Sequence, residues 1–168
     1  MYIKNFKLII RYLEDKIKIE KNREYGFFLG LKKSGASYII DFKYELLGKK
    51  PDKEKKAKIH IEKEESYKFL EWCSRTNHIP MIIHTHPYYK SGQCVSFSYQ
   101  DHNFNQSLVK LGNKIGVENI VFIVTNCITY QMFYYKKSFI YEEEGEIKNV
   151  KERGFYYWRE GRKILYSL

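Results

Sequence analysis

The sequence predicts an α/β or α+β sandwich. Helical and strand periodicities interleave along the chain, the apolar runs are short, and no repeat or Pro/Gly/Ser linker divides it. With 168 residues it reads as one domain, 1–168, long enough to bury a single core.

Taken in order, residues 5–18 place Phe6, Ile9, Ile10, Leu13 and Ile17 at helical spacing, the pattern of an amphipathic helix. Stretches 25–31 and 37–44 read as a strand pair joined by the turn signal KKSGA. Residues 46–58 read as a polar loop. A second helix is expected over 64–77, with acidic residues at its start and Phe69, Leu70, Trp72 and Cys73 along it. The run IPMIIHTH, ended by Pro87, reads as a buried strand emerging at its C-terminal end. A third helix follows from about Ser98 to Lys114. Then come strands over 120–125 and 128–136, with the turn at Asn126, and a further pair over 138–142 and 155–158.

Composition bounds the function. At 43% hydrophobic and 30% charged residues, the chain is globular rather than disordered. Its 16 tyrosines fall mostly in strand-like runs, so sheet packing is favoured over a stacking surface for bases. A net charge of +10 suits nucleic acid, an anionic membrane or an acidic partner, but the lysines are scattered. The one dense run, 49–58, is broken by Pro51, Asp52 and Glu54 and reads as a solvated loop. Three cysteines without a C-x-x-C pair indicate neither a disulfide framework nor a cysteine zinc knuckle. No segment approaches a membrane span or a signal peptide, so a cytoplasmic protein is expected.

The chemistry concentrates at two places. In His84-Thr85-His86, side chains two apart on a strand point the same way, so both imidazoles can meet one metal ion. Catalytic zinc takes three His or carboxylate ligands and keeps a position for water. In Ser98-Tyr99-Gln100-Asp101, Ser98 has the place of a helix N-cap and Asp101 lies in the first turn, where the helix dipole favours a carboxylate. Alone, either is weak: Asp101 could be an ordinary solvated cap residue. The combination H-x-H-P followed by S-x-x-D at a strand–loop–helix junction is far more specific.

With Glu24 in REYGFFLG upstream, these elements resemble the JAMM (JAB/MPN-type) metalloproteases: a distant Glu, then H-[ST]-H-P, then S-x-x-D. The resemblance spans roughly residues 24–125. It implies the JAMM/MPN fold, a cytidine deaminase-like mixed central β-sheet flanked by helices. It further implies Zn2+ held by His84, His86 and Asp101, Glu24 as general acid–base, and Ser98 as an oxyanion donor. The implied substrate is a ubiquitin-like protein or its conjugates, cleaved after the C-terminal tail. Compact members resemble prokaryotic deconjugases, including those of antiphage conjugation systems; precursor processing and a DNA-associated or non-catalytic module are the alternatives.

Two departures stand out. Eleven residues separate His86 from Ser98, longer than is common in the family; lengthening a loop costs only about 0.6 kcal/mol per doubling. Ser96 therefore competes with Ser98, although only Ser98 keeps the S-x-x-D spacing. The glycine after Glu24 is one place early, which leaves Glu20 as a weaker alternative base. Among the remaining residues, Cys94 reads as a loop thiol, and Cys73 and Cys127 as core. His60, His78 and His102 lack ligand spacing, and His102 is expected on a helix surface rather than behind the metal. The absence of C-x-x-C disfavours base deamination.

Overall fold

The computed structural model describes residues 2–49, 58–87, 94–136, 139–147 and 162–164. In chain order the elements are β1 (Ile3–Lys4), α1 (Phe6–Ile19), β2 (Tyr25–Ser34), β3 (Ser37–Leu47), α2 (Lys63–Thr76), β4 (Ile79–Thr85), α3 (Tyr99–Lys114), β5 (Asn119–Thr125), β6 (Thr129–Lys136), β7 (Phe139–Glu146) and β8 (Arg162–Ile164). The strands form one mixed sheet in the order β1-β3-β2-β4-β5-β6-β7-β8. Among the described strands, only β1–β3 and β4–β5 are parallel. Parallel neighbours need a crossover, and α3 supplies the one between β4 and β5.

Two cores cover the two faces. On one, Phe6, Ile9, Ile10 and Leu13 of α1 pack on Phe27, Leu29, Met81, Ile83, Val121 and Ile123. On the other, Phe69, Leu70 and Cys73 of α2 and Leu108 and Val109 of α3 pack on Phe28, Ile82, Phe122 and Val124. Strands covered on both sides read as continuous apolar runs instead of alternating ones, as β2, β4 and β5 do. The structure is thus α/β, a mixed sheet between one helix and two.

From α1 to β7 the expected order holds, with differences at element ends, while β1 and β8 were not expected. Leu46 and Leu47, expected in a polar loop, complete β3, and Leu46 is buried against the α2 side. Strand β7 runs four residues past its expected end. The strand expected over 155–158 lies outside the described residues, as does most of the basic run 49–58. No helix among the described residues is long and apolar enough to cross a membrane.

Candidate metal centre

The centre sits at the carboxyl ends of the parallel pair β4 and β5, where open α/β sheets leave room for ligands. His84 is the next-to-last residue of β4, and His86 continues the ladder by donating its N–H to the Thr125 carbonyl, 2.9 Å. Ile82 and His84 share a face by strand parity, so the imidazoles lie on the α2/α3 side. From above, α3 begins at Ser98 with a complete capping box: the Ser98 hydroxyl accepts from the Asp101 N–H, and the Asp101 carboxylate accepts from the Ser98 N–H. The cap that starts the helix thus also aims Asp101 back at the strand end.

The three side chains converge. His84 Nε2 and His86 Nε2 are 3.1 Å apart, His84 Nε2 is 3.2 Å from Asp101 Oδ1, and His86 Nε2 is 3.3 Å from Oδ2. Donors bound at roughly 2.0–2.1 Å to a tetrahedral zinc ion lie about 3.3 Å from one another, so the set fits that ion without rearrangement. Tautomer accounting points the same way. His86 Nδ1 lies 3.1 Å from the Ser96 carbonyl, which only accepts, so Nδ1 carries the hydrogen. With Nδ1 so committed, Nε2 is the atom that faces the second imidazole and the carboxylate, a set that could hold a metal ion. Burial by itself would raise the Asp101 carboxyl. Hydrogen bonds and charge from His84, together with hydrogen bonds from His86 and Ser98, outweigh that and hold it well below the usual carboxylate range.

The Ser96 carbonyl is placed by an extended loop laid along β6. Val95 N–H donates to Thr129 Oγ1 at 3.0 Å and Phe97 N–H to Gln131 Oε1 at 2.8 Å, which leaves the intervening carbonyl to His86. Ser96 therefore serves through its main chain, and Ser98, whose hydroxyl donates to Asp101 Oδ2 at 2.6 Å, through its side chain.

Glu24 is buried just ahead of β2. The register pairs Gly26, two residues after Glu24, with His84. Tyr25 N–H fixes that end by donating to Thr85 Oγ1, 2.9 Å. Glu24 Oε2 accepts from the Ile59 N–H at 2.8 Å. Glu20, the weaker alternative, instead meets Arg23 at 2.7 Å on the exposed side.

Several contributors were invisible to motif reading. Gly26 is one: a Cβ there would lie 2.4 Å from the Ile83 carbonyl and 3.0 Å from His84 Cβ, so only glycine lets β2 approach β4 this closely. The misplaced glycine in REYG was its one signal. Ile59 and Ser96 act through main-chain groups, and Thr85 through its hydroxyl, which accepts from the Tyr25 N–H. His102 is half-buried rather than a surface residue, its ring packed on Phe97 and Phe133 at 5.9 and 5.5 Å. Cys73 and Cys127 are buried, as expected, and Cys94 is exposed in the loop. In comparisons with known proteins, no family model and no curated protein matches the chain.

Proposed function

We propose that the chain is a zinc-dependent metallopeptidase or isopeptidase of the JAMM type, hydrolysing the amide or isopeptide bond after the C-terminus of a ubiquitin-like protein. The observation that carries this is the meeting of His84, His86 and Asp101 at 3.1–3.3 Å; the buried Glu24 stands just ahead of β2, the strand paired with β4. The order Glu, H-[ST]-H-P, S-x-x-D supports the substrate class, and a compact deconjugase of an antiphage conjugation system is the setting it suits.

His84, His86 and Asp101 would hold the ion. When bound, zinc supplies a Lewis acid that makes water nucleophilic near neutral pH. Glu24 accepts the proton from the attacking water as the C–O bond forms, and hands it to the amine as the tetrahedral adduct collapses and the C–N bond breaks. Ser98 steadies the oxyanion, a donor role worth about 3 kcal/mol in comparable sites. Because its hydroxyl is committed to Asp101 Oδ2, that role requires the hydroxyl to turn from the cap during the reaction.

The test is cleavage of purified ubiquitin-like conjugates, and of precursors with C-terminal extensions, by the zinc-loaded chain. Glu24→Gln is expected to keep the metal and to lose on the order of 10²–10⁴ in rate. Full cleavage by Glu24→Gln would sink the mechanism. A preference between conjugate and precursor separates deconjugation from processing.

A further inference from the structure

Glu24 is held from two directions by a segment far away in sequence. Its carbonyl accepts from the Gly48 N–H at 2.9 Å, and its side-chain Oε2 accepts from the Ile59 N–H at 2.8 Å. Gly48 and Ile59 stand on the two legs of one excursion of the chain, joined where Lys49 N–H donates to the Lys58 carbonyl, 2.9 Å. The Ile59 side chain is itself anchored, packed with Ile61 against the core that α2 and α3 cover. The legs therefore form a clip that closes around one buried carboxylate.

We propose that the main-chain N–H of Ile59 is the positioning group of the catalytic base. By occupying Oε2 it fixes the carboxylate plane and leaves Oε1, which has no hydrogen-bond partner among the described residues, as the oxygen that carries the proton. This rests on the reading of Glu24 as acid–base. A carboxylate on a flexible side chain samples rotamers in which neither oxygen faces the reacting water. A main-chain donor at 2.8 Å removes that freedom, and fixed geometry is what proton transfer rewards. A main-chain donor also survives any substitution that keeps the N–H, so the group is invisible to side-chain inspection.

Two variants separate positioning from packing. Ile59→Pro deletes the N–H. Replacing the Ile59 amide by an ester, through its α-hydroxy acid, deletes the same hydrogen while keeping the side chain, so it remains informative if the proline variant fails to fold. Each is expected to lower kcat by about tenfold to a hundredfold, the worth of a hydrogen bond to a charged group, with KM changed by less than about twofold. Ile59→Ala, which keeps the donor, loses less than Ile59→Pro.

A second measurement needs no substrate. The Ile59 amide hydrogen of the full chain is expected to exchange at least about tenfold faster in Glu24→Ala than in wild type. In Glu24→Gln, whose side-chain carbonyl still accepts, it stays protected. Exchange indifferent to Glu24→Ala, or an ester variant with wild-type kcat, overturns the proposal. Protection that depends on residue 24, together with full cleavage by Glu24→Gln, leaves the clip standing and removes the base assignment instead.

Discussion

Strand β4 is bracketed by histidines, and the two ends use them in opposite ways. Just before its foot, His78 is almost wholly buried, with its ring against Trp72 at 4.5 Å. Its nitrogens point to different partners: Nε2 lies 2.9 Å from Asp41 Oδ2, and Nδ1 lies 2.8 Å from Thr76 Oγ1. The ring is a brace that ties β3 to the end of α2, and protein groups satisfy it on both sides. At the head, the Nε2 atoms of His84 and His86 point at each other and at one carboxylate. Both ends pair histidine with aspartate, so composition does not separate them; direction does. Donors that diverge onto separate partners build structure, while donors that converge on one point leave a place for a cation.

The largest expected effect tests that distinction. His84→Ala or Asp101→Ala should reduce bound zinc from about one ion per chain to near none. His78→Ala should leave the zinc count intact and lower the unfolding free energy by about 1–3 kcal/mol, because Asp41 and Thr76 lose a buried partner. Elemental analysis beside denaturant titration reads both. Loss of zinc in His78→Ala, or its retention in His84→Ala, would erase the contrast.

Gly26→Ala sharpens the comparison from within the sheet. Its Cβ meets backbone at 2.4 Å beside His84, so β2 must retreat from the head of β4. Overpacking of this kind costs about 1–3 kcal/mol, and the displaced His84 should weaken zinc affinity in a competition titration. The His78 brace, at the other end, should keep its protection in amide exchange. Equal loosening of both ends would show β4 moving as one rigid unit.

How much of this was legible depends on whether a contact is local. His84 and His86 share a face because strand parity is two, and Ser98 with Asp101 make a cap because helix starts have fixed spacing. Both rules act over four residues or fewer, and both readings match the geometry. The Asp41–His78 pair spans 37 residues and the Ile59–Glu24 bond 35. Tertiary packing alone creates such contacts, and one of them uses a main-chain hydrogen that every residue but proline carries. The polar loop expected from residue 46 onward erred because Leu46 and Leu47 were outweighed by the lysines after them, whereas pairing with Gly26 and Tyr25 draws both into β3.

Ser98→Ala should have a smaller effect. It removes the cap of α3, which costs about 1 kcal/mol. It also removes one of the two Ser98 donors to Asp101 Oδ2, the main-chain N–H remaining, and losing a partner behind a metal ligand typically lowers affinity about 10–100-fold. Ser98→Thr, which preserves a hydroxyl at the cap, should recover most of the zinc affinity in the same competition titration. An Ala variant with wild-type affinity would mean that the histidines alone orient the carboxylate.

The last comparison is read in slopes against pH, because burial has opposite outcomes at the two ends. Near the foot, Cys73 gives its carbonyl to the His78 N–H at 2.9 Å, and burial pushes its thiol up to about 12 with no charge to oppose it. At the head, the histidines reverse the effect of burial on Asp101. A raised acid stabilises the fold fully below its unfolded value, and the contribution is lost as pH climbs toward the folded one. For Cys73 that window opens near pH 8.5 and closes near 12, with a slope of at most ~1.4 kcal/mol per pH unit. A depressed acid does the reverse: the contribution of Asp101 is complete above about pH 4 and erodes below it. Denaturant midpoints of the metal-free chain against pH should therefore flatten on the alkaline limb in Cys73→Ala and on the acid limb in Asp101→Asn. The slope is the readout, since the cavity left by Cys73→Ala shifts all midpoints alike. An unchanged acid limb in Asp101→Asn would mean that the carboxylate gains little from the histidines without metal, and that only the bound ion draws the three side chains together.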